Sequence, residues 1–194
     1  MEIESFESGD LLLFSGKTSY SKIIQLFTRS IYSHVAMVAK KPDGIYCAES
    51  DDSTFVNNGV SSDGVRLTLL SEKIKNYDGN VYFRSASKVK KDSNLFVDEE
   101  DFNRRFFEVI QEFYGVPYEK NLLELFNSAY DGPLGENKED LSSLFCSEFV
   151  AETYKRLGLI KDLETPSNEY TPADFSKQLH WNKFADFGEI VQIK

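Results

Sequence analysis

"SHVAMVAKKPDGIYCAES", residues 33–50, decides how this chain folds. Two runs of strand-forming residues flank Lys41-Pro42-Asp43-Gly44, where proline fixes φ and glycine accepts a positive φ. The stretch therefore reads as a β-hairpin. An antiparallel hairpin turning near residue 42 brings the start of one strand beside the end of the other, so His34 and Glu49 become cross-strand neighbours. Period two sets His34 on a face with Ala36 and Val38, and Glu49 on a face with Ile45 and Cys47. Ala36 and Val38 are small and leave space beside the imidazole. A histidine in an otherwise apolar strand must find a polar partner. Glu49 supplies one, with Ser50 and Asp51 as competitors for the role.

Working outward, "GDLLLF" (9–14) reads as a turn and a short buried strand, and "SYSKIIQLFTRSI" (19–31) places Ile23, Ile24, Phe27 and Ile31 at helical spacing. Residues 51–64 are polar, with Asn57-Asn58-Gly59 and Asp63-Gly64, and read as a loop with tight turns. "VRLTLL" (65–70) and "NVYFRSA" (80–86) read as strands. "DEEDFNRRFFEVIQEFYG" (98–115) is the clearest helix: its first turn is acidic, and Phe102, Phe106, Ile110 and Phe113 form one stripe. "YEKNLLELFNSAY" (118–130) is expected as a second helix, residues 146–157 as a third, and "FGEIVQI" (187–193) as an edge strand. Segregated strands and helices make the class α+β, an antiparallel sheet or small barrel packed against helices.

A chain of 194 residues with 41% hydrophobic and 14% aromatic content suits one domain, 1–194, with a substantial core. The net charge of −10 argues against binding nucleic acid by phosphate neutralisation. It argues more weakly against docking on an anionic membrane by charge alone. No apolar run approaches a membrane span, and the acidic "MEIESFESGD" has no secretory h-region. Two cysteines, Cys47 and Cys146, make neither a disulfide framework nor a zinc site, so a reducing, cytoplasmic compartment is expected.

Two tempting motifs fail on chemistry. Gly16-Lys17-Thr18 after a strand resembles the end of a phosphate loop, but Leu11 stands where the first glycine is needed. "ESDDSTFVNNG" and "DGPLGENKED" lack the alternating oxygen ligands of a calcium loop.

"LSSLFCSEFVAETYKRLGLI" (141–160) places Cys146 where a loop turns into a helix with Phe149, Val150, Tyr154 and Leu157 as its stripe and Gly158 at its end. The first N–H groups of a helix are unpaired and favour a thiolate there, and the backbone N–H of Cys146 is positioned to serve an oxyanion hole. With His34 as base and Glu49 as orienter the set is complete. His180, beside Trp181 in a polar segment, is the rival base, and Cys47, mid-strand without a helix dipole, the rival nucleophile.

"GDLLLF", "SHVAMV", a strand ending in glutamate and "FCSEFVAETYKRLGL", with "TPADF" further on, together resemble the permuted papain-like (NlpC-type) thiol hydrolases. Within that family the similarity is to the YiiX/YaeF-like and poxvirus-like subgroup. The resemblance implies a circularly permuted papain-like fold and a triad in the order His34, Glu49, Cys146, which is recognised by geometry whatever the order. Alanine at 36 stands where relatives often carry glycine and would narrow the pocket. The resemblance further implies a cysteine hydrolase cleaving an amide, ester or thioester in a small-molecule, peptide or lipid substrate, with no cofactor and no metal. Peripheral membrane contact is compatible with this reading. A binding module that has lost turnover, or a thiol acyltransferase acting on lipid, are the alternatives.

Overall fold

The computed structural model describes residues 3–57, 60–119, 142–160, 163–177 and 187–194. Six strands form one open sheet: β1 (Leu11–Gly16), β2 (His34–Lys41), β3 (Gly44–Asn57), β4 (Val60–Leu69), β5 (Gly79–Arg84) and β6 (Ile190–Gln192). The spatial order is β4-β3-β2-β1-β5-β6, and every neighbouring pair is antiparallel. The helices are α1 (Ser19–Thr28), α2 (Leu70–Asn76), α3 (Ser87–Ser93), α4 (Glu99–Phe113) and α5 (Cys146–Arg156). The α+β class holds, and the sheet stays open.

The central strands are apolar at consecutive positions because both faces of the sheet are covered. Leu11, Leu13, Val35, Met37 and Ala48 pack with Phe102, Phe106, Phe149, Val150 and Tyr154 from α4 and α5. The alternating residues Leu12, Phe14, Ala36, Val38 and Cys47 pack on the other side with Phe6, Leu70, Val81 and Phe83. Burying a large apolar side chain contributes about 1.5–3 kcal/mol, so this two-sided core dominates the stability. The stripe expected on α4 is buried throughout, and Asp98 caps the helix by accepting from the Asp101 N–H at 2.9 Å. Wholly buried Arg84 closes the far side, donating to the carbonyls of Phe175, Lys177 and Gly188.

Two expectations are corrected. Residues 51–64 are not a loop: β3 runs on to Asn57 and β4 starts at Val60, with a register irregularity between Asp51 and Phe55. A polar ribbon beyond the core has the same composition as a loop, which is why the two look alike in sequence. Tyr118 does not begin a helix but forms a parallel bridge with Leu144, fixed by Leu144 N–H to Pro117 O (2.9 Å) and Glu119 N–H to Leu144 O (3.3 Å). The rest of that expected helix, 120–130, lies outside the described residues, as does His180. The short helices α2 and α3 were not foreseen. Finally, α1 forms, but of its apolar residues only Ile24 is buried.

Candidate functional site

The hairpin forms with β2 and β3 joined across Pro42-Asp43, and its register pairs Met37 with Ala48 and Val38 with Cys47. Continued to the start of β2, that register sets His34 opposite Asp51, two residues beyond Glu49. A shift of two preserves the face, so Glu49 becomes a diagonal neighbour within reach of the ring. His34 Nε2 lies 2.8 Å from Glu49 Oε2. Glu49 has no solvent exposure and His34 only 13%.

Glu49 is held ionised. Burial pushes its pKa up, but the Lys73 charge and the His34 hydrogen bond outweigh burial and bring it below the ordinary value. A carboxylate only accepts, so Nε2 carries the proton and donates, leaving Nδ1 for another partner. Cys146 acts on the same ring. Desolvation lowers the His34 pKa, yet the charge of Cys146, a hydrogen bond to its sulfur and the Glu49 bond together raise it to about 10.

Cys146 is the first residue of α5 and 4% exposed. Phe145 precedes the helix in an extended conformation, and Glu148 folds back to accept from its N–H at 3.3 Å. Ser50 Oγ donates to Leu144 O at 2.7 Å, tying β3 to the loop that delivers the cysteine. That bond removes Ser50 as an orienter. The space expected beside Ala36 and Val38 is not where the thiol lies. Those residues face α2, whereas α5 packs on the face of Val35 and Met37. His34, as the first residue of β2, is placed at the strand's end, where it reaches Glu49 and comes under the influence of Cys146.

Lys73, on α2, is the residue that sequence reasoning missed. Its ammonium stands 2.7 Å from Glu49 Oε2 and 2.7 Å from Asp51 Oδ2, while Arg66 lies 2.9 Å from Asp51 Oδ2 and 3.8 Å from Glu49 Oε1. Burial works against every charge here, but the mutual attraction prevails: Asp51 is driven far below and Lys73 well above their ordinary values. Thr68 adds a donor to Glu49 Oε1 at 3.4 Å. Three tyrosines were missed as well. Tyr20 and Tyr118 have their hydroxyls 3.4 Å apart, and burial with the Cys146 charge raises both. Burial pushes Tyr77 up to about 12. A cavity of about 520 Å³ is lined by Tyr20, Tyr77 and Tyr118 and by His34, Glu49 and Lys73. The rival nucleophile Cys47 is wholly buried, and desolvation pushes its thiol well above the ordinary value. It is a packing residue.

No protein-family model matches the chain, and no curated protein does. Among solved structures, the metalloprotein yiiX from Escherichia coli O157:H7 superposes with a TM-score of 0.54 at 21% identity, covering 95% of this chain and 87% of that one. The fold is similar to that of yiiX. At this identity the likeness is one of architecture, extending over nearly the whole of both chains.

Proposed function

We propose that the chain is a circularly permuted papain-like cysteine hydrolase that cleaves an amide, ester or thioester through an acyl-enzyme on Cys146. The observation that carries this reading is a single imidazole whose Nε2 is held 2.8 Å from a buried carboxylate, with the cysteine at a helix start near enough to raise that ring's pKa. In the reaction the sulfur attacks the carbonyl carbon. His34, holding the proton, delivers it to the departing amine, alcohol or thiol. The imidazole then takes a proton from water as that water attacks the thioester, and keeps it as the thiolate is expelled and the acid leaves, which restores the starting pair. Glu49 keeps the ring in one tautomer and opposes its positive charge.

The yiiX protein is described as a metalloprotein. In this chain the donor set would be His34, Glu49 and Asp51, whose ligand atoms lie within 4.8 Å of one another. Lys73 stands 2.7 Å from both carboxylates, in the place a divalent cation would take, and Arg66 adds a second positive charge. Such a set does not fit a metal, and no step is drawn through one.

A second reading, a binding module without turnover, draws on the 4% exposure of Cys146. Iodoacetamide alkylation assigned by mass spectrometry separates the two. With the imidazolium beside the sulfur, Cys146 labels readily at pH 6, and His34→Ala slows labelling about tenfold or more. Equal, slow labelling of both proteins would sink the hydrolase reading.

A further inference from the structure

α1 turns more apolar surface outward than inward. Its inner side buries Ile24, with Tyr20 beside it, against Tyr118 and Phe145, and next to Ile24 the polar Gln25 donates through Nε2 to the carbonyls of Gly16 at 3.1 Å and Ile31 at 2.9 Å. Its outer side is apolar. Ile23 and Leu26 are 39% and 75% exposed, and Ile31 just beyond the helix is 55% exposed. Burial in the fold therefore does not explain these side chains. Lys22, Leu26 and Arg29 follow one another at helical spacing, which sets two exposed cations along one flank of the stripe.

The charge distribution points to the occupant. The chain carries −10 overall, yet no Asp or Glu lies between Asp10 and Asp43, a stretch holding Lys17, Lys22, Arg29, Lys40 and Lys41. Lys40 pairs with Glu7 and Lys41 with Asp43, whereas Lys17, Lys22 and Arg29 make no ion pair among the described residues. We propose that α1 is a docking surface for an anionic lipid bilayer, with Leu26, Ile23 and Ile31 entering the headgroup boundary and Lys17, Lys22 and Arg29 meeting anionic headgroups. Apolar anchoring with a cationic flank is the pattern that binds such interfaces, and it overcomes the acidic remainder because screening confines the attraction to nearby charge. A second copy of this chain suits the face less well, since a two-fold contact brings the cationic flanks together. The same helix region lines the cavity through Thr18, Tyr20 and Ser21, so adsorption through α1 holds that cavity close to lipid. The inference concerns adsorption alone and stands apart from the hydrolase reading.

Co-sedimentation of the full chain with vesicles tests it, using phosphatidylcholine alone and phosphatidylcholine with about one third phosphatidylserine. The expected result is capture by the anionic vesicles that weakens as salt rises from about 0.1 to about 0.5 M. Leu26→Glu lowers the partition coefficient about tenfold, and Lys22→Glu with Arg29→Glu removes the salt-dependent part. An unchanged melting temperature and Cys146 alkylation rate show that each variant is folded. Should Leu26→Glu fail to fold, Ile31→Ser gives the same comparison from outside the helix. The proposal is overturned if folded wild type is captured by neither vesicle, if both vesicles capture it equally, or if Leu26→Glu and Ile31→Ser bind as wild type does. It is also overturned if the chain self-associates through this face, with Leu26→Glu abolishing association, while vesicles capture nothing.

Discussion

Glu49 has no solvent exposure and faces three positive groups, His34, Lys73 and Arg66. A carboxylate so placed is stable only because the cations are fixed around it. Lys73 is the largest of these influences, so Lys73→Met leaves Glu49 and Asp51 short of a counter-charge. Removing one partner of a buried pair costs about 3–5 kcal/mol; here, with Arg66 and His34 remaining, we expect roughly 2–3 kcal/mol, read from urea unfolding. Labelling of Cys146 in Lys73→Met slows as well, because a carboxyl that has gained a proton no longer supports the imidazolium. Glu49→Gln isolates that support. It keeps the shape, removes the charge, and is expected to slow alkylation roughly threefold, less than His34→Ala does. Labelling of Glu49→Gln at the wild-type rate would show that the carboxylate is structural. His34, Glu49 and Cys146 were legible in the sequence because each breaks its local pattern: a histidine and a carboxylate in apolar strands, a cysteine at a helix start. Lys73 sits in "LSEKIKN", where Glu72 and Lys75 look just as solvated. Nothing local marks it; only the docking of α2 over β3 does.

At the scale of elements, α5 is the mount for the cysteine, and what fixes it is the fit of Phe149 and Val150 against the sheet. Phe149 is wholly buried and meets Phe113 edge to face with ring centres 6.0 Å apart. Phe149→Ala removes those contacts at about 3–5 kcal/mol, and the loosened helix is expected to lower the labelling rate of Cys146 beyond what the stability loss explains. Pulse alkylation under conditions where the variant is fully folded checks this; an unchanged rate would mean the cysteine is positioned by Ser50 and the Tyr118–Leu144 bridge alone. A second element-scale device is Gly64 at φ +99°, whose absent side chain lets Val116 O approach within 2.0 Å of the Cβ position. The Val65 N–H donates to that same carbonyl at 2.9 Å, and Gly115 N–H returns a bond to Val65 O. Gly64→Ala is expected to destabilise by about 2 kcal/mol or more, since both the backbone angle and the close approach forbid a methyl group. The helices α4 and α5 and strands β1, β2 and β5 were readable because periodicity records which faces are buried. The β3–β4 ribbon and α2 were not. The ribbon extends past the core, and α2 is too short to establish a period.

For the molecule as a whole, the site's charges set a pH profile with opposite limbs. Glu49 and Asp51 are held below their ordinary values of 4.5 and 3.8, so their contribution is present above about pH 4.5 and is lost as pH falls. His34 is raised from 6.5 to about 10, so its contribution is full below pH 6.5 and fades as pH rises toward 10. Stability should therefore be greatest between about pH 4.5 and 6.5 as far as these groups govern it, declining on both sides. The two limbs have different causes and can be separated. Cys146→Ala deletes the largest influence raising His34 and leaves the Glu49 hydrogen bond, so the imidazole loses its proton at lower pH. The alkaline decline of the melting temperature should then end at lower pH and be shallower, while the acid limb, set by Lys73 and Arg66 on Glu49 and Asp51, stays as in wild type. Melting curves from pH 3 to 11 on both proteins read this directly. Superimposable alkaline limbs would mean that Cys146 and His34 do not share charge in the folded chain, and the chemistry proposed for the pair would fall with that result.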